Sequence, residues 1–85
     1  MSKWEKRLAR IRQNPKHVRF EDVEIILLSL GFTKRQDGTS HATFTIAGME
    51  PLRIPKPHKS PFIREYYIRY YLLPRLESMG MIEEE

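Results

Sequence analysis

The stretch Phe32-Thr33-Lys34-Arg35-Gln36-Asp37-Gly38-Thr39-Ser40-His41-Ala42-Thr43-Phe44-Thr45-Ile46 decides the fold. Asp37-Gly38-Thr39-Ser40 is rich in turn formers and divides two extended segments, Phe32 to Gln36 and His41 to Ile46. The second alternates strictly. Ala42, Phe44 and Ile46 share one face of a strand, and His41, Thr43 and Thr45 share the other. A further turn, Gly48 to Pro51, leads to a short third strand, Leu52 to Ile54, closed by Pro55. Three strands in quick succession predict an antiparallel sheet.

Helices flank this sheet on both sides in the sequence. Upstream, Glu21, Asp22 and Glu24 fill the first turn of a helix over Phe20 to Leu30, where carboxylates suit the helix dipole. Val23, Ile26, Leu27 and Leu30 form its buried stripe, and Gly31 supplies the stop. The run Ile25 to Leu28 is apolar enough that part of it is expected to face a partner chain. Earlier still, Trp4, Leu8 and Ile11 mark a helical stripe in residues 3–13, which Asn14-Pro15 ends. Packing of this stripe onto the domain is the expectation, ahead of attachment to a membrane surface. Downstream, a last helix is expected from Phe62 or Ile63, with Ile63, Tyr66, Tyr67, Tyr70 and Leu73 at helical spacing. On that phase Tyr67 and Tyr70 belong to the core, and Tyr66 and Tyr71 to the surface. Pro74 cannot donate to the Tyr70 carbonyl, so a kink or break is expected there, and a last turn through Leu76 and Met79 ends at Gly80. The whole reads as an α+β fold: a small three-stranded antiparallel sheet with helices packed on one face and an extra N-terminal helix. Double-stranded-RNA-binding domains share that architecture.

Composition narrows the function. A chain of 85 residues makes one domain with a small core. Hydrophobic content of 40% beside 31% charged residues reads as soluble and globular. No apolar run reaches the roughly 20 residues a bilayer crossing needs, and no apolar leader precedes a cleavage site, so neither a membrane partner nor secretion is expected. The absence of cysteine excludes disulfides and thiolate metal sites and suits a cytoplasmic location. Charge is unevenly placed: residues 1–19 carry a net +6, residues 20–52 a net −3, residues 53–75 a net +5, and the last ten a net −4. Two basic blocks that meet in the fold would form a phosphate-binding surface; otherwise they only solvate helix faces. The segments therefore divide as a basic N-terminal helical extension (1–19), an RNA-directed domain (20–80) and an acidic tail (81–85).

His41 is the residue best placed for chemistry. RNA carries its own nucleophile, the 2′-hydroxyl; a neutral imidazole can take that proton and an imidazolium can protonate the 5′-oxygen. Gly38, Thr39 and Ser40, with the turn amides, are suited to hold a phosphate oxygen. The plain alternative is a surface histidine at the start of a strand. In Pro55-Lys56-Pro57-His58-Lys59, prolines stiffen the backbone while Lys56, His58 and Lys59 offer positive charge to phosphate. That loop either joins His41 or is only a stiff connector. His17 lies in a basic linker and is read as incidental. Three scattered histidines without His-x-x-x-His spacing predict no metal site, and no cofactor motif is present. The tyrosines at 66, 67, 70 and 71 suit either base stacking or a protein interface.

Taken together, a helix ending in Gly31-Phe32, the Gly38-Thr39-Ser40-His41 turn, a hydrophobic strand and Ile54-Pro55-Lys56-Pro57-His58 before a C-terminal helix resemble the HicA family. The similarity runs from Phe20 to about Met79. HicA proteins are toxins of type II toxin–antitoxin modules and act as mRNA interferases on a double-stranded-RNA-binding-domain-like fold. The resemblance implies an endoribonuclease that needs no cofactor, has mRNA as substrate and His41 as its catalytic histidine, and is covered by a HicB-type antitoxin. The family's turn reads Gly-Ser-His; here Thr39 replaces its glycine, and the glycine sits one residue earlier at Gly38. The alternative function is a non-catalytic RNA-binding module of the same fold, and a protein-interaction subunit is a third possibility.

Overall fold

A computed structural model of the chain describes residues 2–36 and 41–82. The turn at 37–40, with the sequence-predicted phosphate ligands Gly38, Thr39 and Ser40, lies outside the described residues, as does the acidic end at 83–85. The first helix, α1 (Lys3–Gln13), starts where Ser2 meets Glu5: the Glu5 carboxylate accepts from the Ser2 amide at 3.1 Å and from its hydroxyl at 2.9 Å. This pairing satisfies donors that the helix start leaves open, and those hydrogen bonds hold the Glu5 carboxyl below its ordinary value. Leu8 and Ile11 are buried, as their spacing predicts, and Trp4 packs against the same core. Arg7 of α1 pairs with Asp22 at 3.2 Å.

Asp22 belongs to α2 (Phe20–Ser29), whose Val23, Ile26 and Leu27 are fully buried. Its end is a Schellman arrangement. Gly31 takes a left-handed φ of +99°, its amide bonds to the Leu28 carbonyl at 3.2 Å, and the Phe32 amide reaches the Leu27 carbonyl at 3.0 Å. The chain is thereby turned into the sheet, with strands β1 (Thr33–Gln36), β2 (His41–Thr45) and β3 (Leu52–Pro55) in the order β1-β2-β3, each pair antiparallel. Phe44 pairs with Lys34 and Leu52, and Ala42 pairs with Gln36 and Ile54. Ala42, Phe44, Leu52 and Ile54 are buried under the helices, whereas His41, Arg35 and Arg53 on the opposite face are exposed. Helices therefore cover one face, and the fold is α+β. Its element order is compatible with a double-stranded-RNA-binding-domain-like layout preceded by an extra helix.

The C-terminal helix differs from the sequence expectation in its start and its phase. It begins as α3 (Glu65–Tyr67), not at Phe62 or Ile63, because those two residues pair with the linker. Arg19 and Phe62 form an antiparallel bridge, and the Ile63 amide donates to the Val18 carbonyl at 2.8 Å. A π-helical turn follows (Ile68–Leu72), then α4 (Leu73–Ser78). The backbone stays right-handed throughout, so Pro74 does not break the helix. The Leu73 amide instead reaches five residues back, to the Ile68 carbonyl. This wider turn relieves the clash between a proline ring and the carbonyl four residues earlier. The phase also differs, because Ile63, which anchors the expected phase, lies outside the helix. Ile68, Leu72 and Leu76 are the buried stripe, while Tyr70, expected in the core, is 65% exposed. Tyr67 is half-buried against the core, and Tyr66 and Tyr71 are exposed as expected.

Candidate functional site

His41 opens β2 and faces away from the helices. Its register partner on β3 is Pro55, so the loop that carries Lys56, His58 and Lys59 leaves the sheet beside it. The pleat then separates them. Pro55 shares His41's face, and Lys56, the next residue, turns to the helix side. There the Lys56 ammonium lies 5.3 Å from the Phe20 ring centre and donates to the Gln36 side chain at 3.1 Å. Lys34 completes the cluster. It sits 5.5 Å from the same ring and is ion-paired with Glu24. Two cations thus lie over the Phe20 ring, which also packs against Phe44, 6.3 Å away centre to centre.

Lys56, His58 and Lys59 do come together, with Arg64, Phe62 and Tyr67, in the walls of a cleft of about 470 Å³ between the proline-rich loop and α3. His41 is absent from the described lining of that cleft. From the sequence the basic loop either joins His41 or is only a stiff connector; the register brings it to the same end of the sheet, and its lysines and His58 line a separate hollow. His17 also has a definite setting that its linker position concealed. Its ring meets Phe62 edge-on at 5.0 Å, and the Arg19 guanidinium lies 5.6 Å from the same ring.

A larger groove, about 770 Å³, lies on the other side of the sheet. It starts on the outer face at Arg35, Thr43, Thr45 and Arg53 and crosses β3 to Tyr70, Tyr71 and Arg75 of the C-terminal helix. Thr43 pairs with Arg35 on one side and Arg53 on the other, so an arginine, a threonine and an arginine form one row across the three strands. His41 stands on this same face, two residues from Thr43, or about 7 Å along the strand. Arg75 is positioned by a 2.7 Å bond from its guanidinium to the Glu50 carbonyl. The tyrosines are fixed by one another. Tyr66 lies 5.3 Å from Tyr70 and 5.5 Å from Tyr71, and Tyr67 meets Tyr71 edge-on at 5.5 Å. The π turn permits this, since it aligns residues five apart. Its hydrogen bond with Tyr71, and then repulsion from that residue when ionised, hold the Tyr66 phenol above its ordinary value of 10.0.

Sequence reading did not single out Arg35, Arg53, Tyr70 or Arg75 as a group. The alternation that put His41 and Thr43 on one face contained the signal for Arg35 and Arg53, but pairing them needed the register. Of the apolar run Ile25 to Leu28, Leu28 is 46% exposed and Ile25 half-buried. Among the described residues no three His, Cys, Asp or Glu side chains gather as metal ligands, and no helix is long and apolar enough to cross a membrane. Compared with known protein families, with curated proteins and with solved structures, the chain matches none.

Proposed function

We propose that this chain is a metal-independent endoribonuclease that cuts mRNA with His41 and acts as a toxin held in check by a HicB-type antitoxin. The observation that carries the reading is the position of His41: an exposed imidazole at the first residue of β2, about 7 Å along one sheet face from the Arg35-Thr43-Arg53 row. Cationic side chains beside an imidazole suit a reaction in which negative charge builds on a phosphate. Neutral His41 takes the proton of a 2′-hydroxyl as that oxygen attacks the adjacent phosphorus. The bond from phosphorus to the 5′-oxygen breaks, that oxygen receives a proton, and the products are a 2′,3′-cyclic phosphate and a 5′-hydroxyl. Lys56, His58 and Lys59 bind more distant phosphates in their own cleft. Leu28, exposed on α2, offers an apolar contact to the antitoxin.

The test is cleavage of a long single-stranded RNA in excess EDTA. Wild type cuts and leaves cyclic-phosphate ends; His41→Ala retains its fold, because the side chain is exposed, and loses about 10²- to 10⁴-fold in rate, the usual share of a general acid or base. Full cutting by the folded variant refutes the role of His41. A folded wild type that binds RNA without cutting it favours the second reading, a non-catalytic RNA-binding module, to which the arginine and tyrosine groove is equally suited.

A further inference from the structure

We infer that the groove from the sheet's outer face to the C-terminal helix is a binding track for single-stranded RNA, with phosphates on Arg35, Arg53 and Arg75 and unpaired bases on Tyr70 and Tyr71. The choice of RNA as the polymer rests on the function proposed above; the choice of site and of strandedness rests on the groove itself.

Charge comes first. Three arginines line the groove, and its described lining includes no carboxylate. A guanidinium suits phosphate because its planar fork donates two parallel hydrogen bonds. Arg35 and Arg53 flank Thr43 on adjacent strands, which lie about 4.8 Å apart, so their attachment points are separated by roughly 10 Å. Arg75 adds a third positive group on the helix side, oriented by the Glu50 carbonyl. Three guanidinium groups distributed over the groove suit a polyanion better than a single small anion.

The tyrosines decide which polyanion. Tyr70 is 65% exposed and Tyr71 41%, on the side of the helix away from the buried stripe of Ile68, Leu72 and Leu76. Tyr70 is held by a ring contact to Tyr66, and Tyr71 by contacts to both Tyr66 and Tyr67, so part of their side-chain freedom is already lost before binding. Exposed, preoriented rings beside a cationic track are the means by which single strands are bound, since every unpaired base offers a π-face. A duplex keeps its bases stacked on one another and offers none. The outer face thus differs in purpose from a surface that reads duplex RNA by shape and phosphate contacts. A protein partner would be expected to bring carboxylates to these arginines, but it would not need the tyrosine faces open beside them.

The experiment measures fluorescence anisotropy of a labelled 2′-O-methyl RNA of about ten nucleotides, within the length range that compact single-strand sites cover. The 2′-O-methyl group removes the nucleophile, so binding is read without cleavage. The single strand is expected to bind the wild type at least tenfold more tightly than the same strand annealed to its complement. Tyr70→Leu and Tyr71→Leu are each expected to weaken binding roughly 5- to 100-fold. Arg53→Gln is expected to lower the slope of log affinity against log salt by about 0.7, the single-strand value for one phosphate contact. Equal affinity for the duplex overturns the inference, as does wild-type binding by the tyrosine and arginine variants; the latter result leaves the groove to a protein. Failure of the proposed function looks different: wild type binds the 2′-O-methyl strand through the groove yet leaves unmodified RNA intact.

Discussion

Truncating Leu72 and Tyr70 separately tests the phase of the C-terminal helix, on which the tyrosine platform depends. Leu72 is fully buried, on the stripe with Ile68 and Leu76. Leu72→Ala removes its packing and leaves a void, which typically costs about 2–5 kcal/mol. In a domain of this size 1 kcal/mol moves the midpoint by about 4–8 °C, so a mid-range loss of about 3 kcal/mol lowers Tm by roughly 12–24 °C. Tyr70→Ala removes a larger side chain, but one that is 65% exposed and touches Tyr66. Its cost is that of a surface change plus one aromatic pair, about 1 kcal/mol, and its Tm falls by no more than about 8 °C. Thermal melts followed by far-ultraviolet circular dichroism measure both. A helix that kept Tyr67 and Tyr70 in the core predicts the opposite order, so a Tyr70→Ala loss as large as that of Leu72→Ala would refute this phase.

Two other consequences can be measured on purified protein. Gly31→Ala forces an alanine into a φ of +99° and is expected to cost about 1–2 kcal/mol, lowering Tm by several degrees in the same melts; an unchanged Tm would show that the α2 terminus does not need that conformation. The raised Tyr66 value has a sign: the unfolded phenol ionises first, near 10.0, so its contribution is complete below that pH and fades as pH rises through the higher folded value. Denaturant unfolding above pH 10 should therefore show a steeper alkaline decline in wild type than in Tyr66→Phe, and parallel declines would rule this out.

The sheet was legible because its signals are local and periodic. Alternation in His41 to Ile46 set the two faces, the turn residues set the strand limits, and Gly31 marked the end of α2. The C-terminal helix was legible only in outline. The expected phase is anchored on Ile63, which lies outside the helix; the stripe of Ile68, Leu72 and Leu76 puts Tyr70 on the surface instead of in the core. The late start at Glu65 has no local signal either: Phe62 and Ile63 are held by Val18 and Arg19, far away in the chain. The candidate site divides in the same way. His41 could be named from its neighbours, and the nearness of the Lys56 to Lys59 loop follows from β2 and β3 pairing. That Lys56 turns to Phe20, and that Arg35 and Arg53 meet across Thr43, depended on register and pleat together.

The clip between Val18–Arg19 and Phe62–Ile63 gives the molecule a mechanical character. It ties the segment holding α2 and the sheet into a loop closed at its neck, with α1 and the C-terminal helix leaving from that neck. Because the pairing is antiparallel, the outgoing chain on both sides departs from the same end of the clip. Tension applied to the two termini therefore peels its hydrogen bonds apart in turn instead of shearing them together. Once α1 and the C-terminal helix have been drawn off the core, the neck opens before load reaches the three strands. A translocating machine pulling on the chain would thus meet this seam ahead of the paired strands.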